Sequence, residues 1–285
     1  EGAVIFKGEE SGFHTRVFIN SKNLPTYEAK ELGLAKIKYD KYPYDKSIIF
    51  TGNEVEDYFK ILIYLINKIF PELKNKTKHI SHGMLRLPTG KMSSRTGDVI
   101  TAESLIKKIE SLIVKKMEKS EKIFNKKIIP AVAEIVAIGA LKYSILRQSF
   151  DKDIIFDFDK SISFEGDSGP YLQYTCVRAK SVLLKAKEKK ITPSIKKVSL
   201  EITTVEKLLS RFPEVIEEAS KNYKPSIIAN YLLDVTKSFN KFYDSINILK
   251  AEPKIRDARL SLILAVKQVI STGLYLLGIE SLEEM

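Results

Sequence analysis

The spacing of apolar positions changes character near the middle of the chain. Up to about Ile113, short apolar runs alternate with helical patterns; from Ile128 onward helical spacing is almost unbroken. In the first part, Ala3 to Phe6 and Arg16 to Ile19 read as paired strands. Thr26 to Leu34 reads as a helix, with Thr26 placed to cap its start and Gly33 near its end. The run Ser47-Ile48-Ile49-Phe50 fits a buried parallel strand that ends at Gly52. Val55 to Phe70 then follows a helical period, with Tyr58, Leu62, Leu65 and Ile69 on one face and Pro71 as the stop. Strand, glycine turn and helix in that order make a βα unit, whose ligands gather at the carboxyl end of the strand.

Lys115 to Lys127 is dense in charge and reads as a connector. Beyond it the pattern predicts helices over Ile128–Arg147, Tyr171–Lys189, Val205–Arg211, Pro213–Lys221, Ser226–Ile246 and Lys254–Leu277. Few glycines interrupt them, so an all-α bundle is expected. The chain is therefore read as α/β plus all-α, with parts at 1–114 and 128–285 joined by 115–127.

Composition narrows the classes. With 285 residues, 44% hydrophobic and 29% charged, the chain has the material for a sizeable core and the balance of a globular protein. The single cysteine, Cys176, excludes an internal disulfide, and a reducing cytoplasmic setting is the default. Three histidines beside it form no zinc-binding pattern. The longest apolar run, Ile128 to Leu141, is broken by Pro130 and Glu134, so no membrane span is expected. The start at Glu1, without methionine or a signal-like pattern, suggests a piece of a longer chain.

The net charge of +11 favours a polyanionic partner. Between Thr175 and Lys197 there are eight Lys or Arg residues against the single acid Glu188. A solvated helix face usually mixes its signs instead.

Three short constellations carry chemistry. Leu87 to Ile100, LPTGKMSSRTGDVI, sets Lys91, Ser93, Ser94 and Arg95 between Gly90 and Gly97. Such a loop can swing and can present cations to a polyphosphate whose charge shifts during transfer. It also reads as an exposed basic turn. In Pro25 to Glu31, Tyr27 and Glu31 are four apart and share a helix face, where a phenol and a carboxylate could grip a guanidinium. An ordinary amphipathic helix gives the same pattern. In Asp167-Ser168-Gly169-Pro170-Tyr171-Leu172-Gln173-Tyr174, a turn leads into a helix with Pro170 near its first position. Tyr171, Tyr174 and Arg178 then line one face, as a stacking platform for unpaired bases or as plain core.

The block HISHGMLRLPTGKMSSRTGDVITAESLI resembles the signature loop of class I aminoacyl-tRNA synthetases in its arginyl form. The general motif KMSKS reads here Lys91-Met92-Ser93-Ser94-Arg95, with serine in place of the second lysine. GFHTRVFINSKNLPTYEAKELGL is similar to the segment by which arginyl-tRNA synthetases hold their amino acid. GDSGPYLQYTCVRAKSVL resembles the opening of their anticodon-binding domain. FPEVIEEA, ANYLLDVTKSFNKFYD and the terminal ARLSLILAVKQVISTGLYLLGIESLEEM match it too.

The resemblance implies the C-terminal part of a Rossmann-like catalytic domain, with its mobile loop at 88–98, followed by a helical anticodon-binding bundle. It assigns Lys91, Ser93 and Arg95 to catalysis, and His82, Gly83, Met84, Lys91 and Met92 to ATP. In the synthetases the residues matching Gly83-Met84 present backbone groups to adenine, which a missing side chain would ease. Tyr27, Glu31 and Glu54 are assigned to arginine, with Glu31 where many members carry aspartate. Tyr171, Tyr174, Arg178, Tyr243 and Met285 are assigned to the anticodon loop. The implied partners are ATP with Mg²⁺, arginine and tRNA(Arg), in a monomeric, cytoplasmic parent with no protein-held metal.

One departure is plain: the family's HIGH motif is absent from this sequence. The expectation is therefore an arginine–tRNA ligase of which this piece holds half an active site, inactive alone but able to bind tRNA. A non-catalytic tRNA-binding module is the alternative. A different nucleotidyl transferase on the same fold is a third reading, and the helical tail counts against it.

Overall fold

The computed structural model describes residues 2–86, 101–118, 128–195 and 201–284. They form two compact units, one of residues 1–84 with 150–153 and one of 85–149 with 154–285.

The first unit opens with β1 (Val4–Phe6) and β2 (Arg16–Ile19), paired antiparallel with Phe6 opposite Arg16. Helix α1 (Tyr27–Lys41) continues about two turns past Leu34, the expected end. Thr26 stands at its N-cap but makes no cap bond there. Its hydroxyl donates instead to the carbonyls of Val17 (2.8 Å) and Phe18 (3.1 Å), fastening the helix start to β2.

Strand β3 (Ser47–Gly52) pairs in parallel with β4 (Thr77–His82), from Ser47 opposite Thr77 to Gly52 opposite His82. The connection is α2 (Glu56–Ile69), closed by a short turn at Pro71–Leu73, as the βα pattern predicts. Phe59, Ile61, Leu62, Leu65 and Ile66 of α2 are buried. Ile69, expected on that face, is half exposed because the helix ends there. Each fully buried leucine or isoleucine of this face contributes about 1.5–3 kcal/mol.

The second unit holds the helices. Strand β5 (Leu85–Arg86) pairs in parallel with β6 (Ile154–Ile155), a return that periodicity alone does not reveal. Helix α3 (Ala102–Glu118) reaches into the stretch read as a connector, and packs on α4 (Ile129–Leu146) through Leu105, Ile109, Ile113 and Met117. The compact units thus divide at 84 and 85, whereas the sequence pattern changes near 114. The reason is that α3 buries its apolar stripe against a helix of the bundle.

After the short α5 (Phe158–Ser161) come α6 (Gly169–Glu188), α7 (Thr204–Ser210), α8 (Phe212–Asn222), α9 (Pro225–Ser245) and α10 (Pro253–Leu276). Their observed bounds lie within two residues of the expected ones. Leu172, Cys176, Leu232, Phe239, Leu260, Ile263 and Leu274 form the main core of this unit. By length and composition alone α4 and α10 are apolar enough to cross a membrane, a property that core helices of globular proteins share. Both line the unit's apolar cores.

Candidate functional site

In the first unit the candidate residues lie at the start of α1 and at the carboxyl ends of β3 and β4. Tyr27, the first residue of α1, is 81% exposed, and the Lys30 ammonium stands 5.7 Å from its ring centroid. Glu31 lies one turn on and is half-buried. Tyr58 of α2 is a phenol that the sequence placed on the helix's apolar face and did not assign to the site. Burial pushes its pKa up to about 12, helped by the neighbouring carboxylates Glu31 and Glu28 and opposed by Arg16. Glu28 in turn lies 3.9 Å from the Arg16 guanidinium. Glu54 follows β3 in a turn at Asn53–Val55, and its carboxylate folds back over Gly52 into the space a side chain there would take.

His82 ends β4. Its ring lies 5.0 Å from that of Phe50, and its Nδ1 bonds the Gly83 carbonyl oxygen at 2.8 Å. Gly83 has a structural reason for lacking a side chain. A Cβ there would overlap the Lys152 carbonyl and lie 2.5 Å from the Asp153 nitrogen. The amide of Gly83 donates to the Phe150 carbonyl (2.7 Å), and that of Met84 to the Asp153 carboxylate (2.9 Å). The absence of a side chain at 83 thus permits a close approach to the protein's own backbone, a structural reason that the sequence did not offer. Met84 keeps a half-exposed thioether. His79, unassigned from sequence, has packing work: its ring stacks on Phe59 at 4.3 Å and its Nε2 bonds Thr51 Oγ1 at 2.8 Å.

In the second unit the candidates converge. The turn leads into α6 with Pro170 in its first turn, as the sequence predicts, and Ser168 caps the helix by accepting from the Tyr171 amide at 3.1 Å. Asp167 beside it accepts from Tyr143 Oη (2.8 Å) and Arg147 Nε (2.5 Å), which ties the turn to α4. Along α6, the Arg178 guanidinium lies 5.0 Å from the ring centroid of Tyr174 and 5.0 Å from that of Tyr243 on α9. It donates to Asn240 Oδ1 at 2.7 Å and stands 3.7 Å from Asp244.

Asn240, which is buried, donates to Tyr171 Oη (2.9 Å) and Thr175 Oγ1 (3.0 Å). Three tyrosines and an arginine are thus joined through one buried amide. A cleft of about 810 Å³ opens beside them, lined by Tyr174, Arg178, Lys185, Tyr243 and Glu284. Tyr171 and Tyr243 also pack against the main core of the unit. The cluster combines aromatic faces with the side chains of Arg178 and Lys185, a surface suited to nucleic-acid bases and phosphates.

Residues 1–158 match the family described as tRNA synthetases class I (R), catalytic domain, and residues 172–285 match the DALR anticodon binding domain. The chain belongs to the arginyl-tRNA synthetase family.

Among its relatives, the arginine–tRNA ligase of Parabacteroides distasonis is 33% identical over 100% of this chain and 49% of its own length. That of Phocaeicola vulgatus is 36% identical over 96% of the chain and 46% of its own length. The chain thus spans about half the length of the curated relatives it matches. The solved arginyl-tRNA synthetase of Thermus thermophilus superposes with a TM-score of 0.82 at 24% identity, covering 100% of this chain and 54% of that one. The Plasmodium falciparum synthetase structure gives the same TM-score at 20% identity, covering 100% of this chain and 49% of that one, and both show the fold alone.

Of the site residues expected for a synthetase, Lys91, Met92, Ser93, Arg95 and Met285 lie outside the described residues. Among the described residues, no three His, Cys, Asp or Glu side chains converge as metal ligands. Asn240 was missed by sequence reasoning. Its signal is present only in hindsight, as a single amide on the buried side of α9 three residues before Tyr243.

Proposed function

We propose that the full-length parent attaches arginine to tRNA in two steps, through arginyl-adenylate. ATP and arginine would give the adenylate and pyrophosphate, and the arginyl group would then pass to the 3′ end of the tRNA. The observation that carries this reading is the pairing in one chain of a class I arginyl catalytic match with an anticodon-binding match that contains the Arg178 cluster.

The acidic surroundings of Tyr58, made by Glu31 and Glu28, support a guanidinium site at the start of α1, with Tyr27 and Glu54 as further contacts. ATP would arrive with Mg²⁺ held by phosphates and water. Because the amides of Gly83 and Met84 are already donated, contact to an adenine ring from these residues would fall to carbonyl oxygens and to the Met84 thioether. Lys91, Ser93 and Arg95 would stabilise the migrating phosphates, which demands positioning and charge rather than a nucleophile. Tyr171, Tyr174, Arg178 and Tyr243, with Met285, would receive the anticodon loop of tRNA(Arg). The chain by itself would bind RNA without completing adenylate formation, in a cytoplasmic and monomeric parent.

The test is arginine-dependent exchange of pyrophosphate into ATP by the parent protein. Lys91→Ala should slow it by the equivalent of about 3 kcal/mol, mainly in rate, by analogy with losing one preorganised donor. An unchanged rate with a weakened arginine affinity would remove Lys91 from this role.

A further inference from the structure

The last residues do not trail away from the bundle. Gly278 takes a left-handed φ of +66° and turns the chain sharply off α10. Its carbonyl accepts from the Lys142 ammonium of α4. Ile279 (2% exposed) then enters the main core, and Leu282 (6%) enters the core shared by α3 and α4. Between them, Gln173 Nε2 donates to the Glu280 carbonyl at 2.8 Å. The segment is strapped across α6.

Lys180 of α6 holds its end. The side chain is only 12% exposed, and its ammonium donates to the Leu282 carbonyl (2.8 Å), the Glu283 carboxylate (2.6 Å) and Ser281 Oγ (3.5 Å). A strongly hydrated ammonium gives up its water only where fixed acceptors replace it. Three acceptors from three successive residues do so here. The residue that follows, Glu284, lines the cleft beside Arg178 and Tyr174.

We infer that Lys180 is a positioning residue: it seats residues 278–284 so that the strap, through Glu284, completes the wall of the base-binding cleft. The inference rests on the reading of that cleft as the anticodon-loop site. Lys180 touches no base in this account. It acts by keeping the wall in place before RNA arrives, so that binding does not have to order it.

Hydrogen exchange on the full chain reads the strap directly. In Lys180→Met, amides of 279–284 should lose protection while those of α6 and α10 keep theirs. Affinity for a synthetic anticodon stem-loop of an arginine tRNA should fall about tenfold. Glu283→Gln should leave affinity nearly unchanged, because the Glu283 side chain is 86% exposed and such surface pairs contribute little. If Lys180→Met lowers the melting transition, Lys180→Gln, which keeps a polar donor on a shorter stem without the charge, carries the same comparison.

Unchanged strap protection, or unchanged affinity, overturns the inference. Tyr174→Ala run in parallel separates the two readings. Lost affinity in Tyr174→Ala alone refutes the strap and leaves the platform. Unchanged affinity in both refutes the platform as well.

Discussion

Arg178 donates a 2.7 Å hydrogen bond to Asn240, and this contact, with Asp244 at 3.7 Å, holds the guanidinium beside the rings of Tyr174 and Tyr243. Asn240 uses its amide nitrogen on Tyr171 and Thr175 and its oxygen on Arg178, so its bonding capacity is largely spent on residues of α6. Asn240→Leu keeps the approximate volume and removes every one of these bonds. Leaving buried donors and acceptors unpaired should cost about 1–3 kcal/mol, read as a lower denaturation midpoint. RNA affinity should fall with it, because Arg178 loses its anchor. An unchanged midpoint would show that the network rearranges at no cost.

Gly83→Ala tests the reason for glycine at the end of β4. The added methyl would meet the backbone of Lys152 and Asp153 at less than contact distance. Overpacking of this kind costs about 1–3 kcal/mol, so unfolding of the chain should shift to lower urea concentration. No ligand is needed to see the effect. A variant as stable as the parent chain would return Gly83 to a purely ligand-facing role.

How far the chain could be read from sequence follows from the range of the forces involved. The βα unit from Ser47 to Phe70 and the six helices expected from Ile128 onward were legible, because each is specified by its own periodicity and its own stop signals. The turn into α6, with Pro170 near the first position of the helix, was legible for the same reason, whereas the cap bond from Ser168 was not singled out. The pairing of β5 with β6 was not, since it joins two-residue strands 69 positions apart, counted from Leu85 to Ile154. The membership of α3 in the helical unit was hidden too: its apolar stripe reveals that it packs, not against what. At the site, Tyr171, Tyr174, Arg178 and Tyr243 were picked out by spacing and resemblance. Asn240 and Tyr58 were not, because what matters at each is a neighbour brought in from another helix.

His79 gives the first unit a pH dependence. Burial against Phe59 lowers its pKa below the ordinary 6.5, with Glu56 pulling weakly the other way. The unfolded chain then binds this proton more readily than the folded one does. Stability should be full above about 6.5 and should fall as pH drops from there toward the lowered folded value. The denaturation midpoint followed from pH 7.5 to 5 should show this decline, and His79→Gln should flatten it. A decline of equal size in both proteins would assign it to other groups.

Stacking and charge separate cleanly at the cluster of Tyr174, Arg178 and Tyr243, which makes it the sharpest test of the proposed function. Tyr174→Ala removes one ring and no charge. Affinity for tRNA should weaken by about 1–3 kcal/mol, the usual worth of one base–aromatic stack. The slope of log affinity against log salt should not change, because that slope counts the phosphates neutralised by cations. The intact chain should itself show a steep slope, given its net charge of +11 and the basic run along α6. Arg178→Ala should behave differently, losing affinity and also flattening the slope by about one phosphate contact. The rings of Tyr174 and Tyr243 would then lose the cation that both of them face. A salt series on the three proteins decides the matter. If Tyr174→Ala binds as tightly as the intact chain, the rings serve the core of the bundle rather than a base. If the slope is flat for all three, nucleic acid is not held by this basic surface.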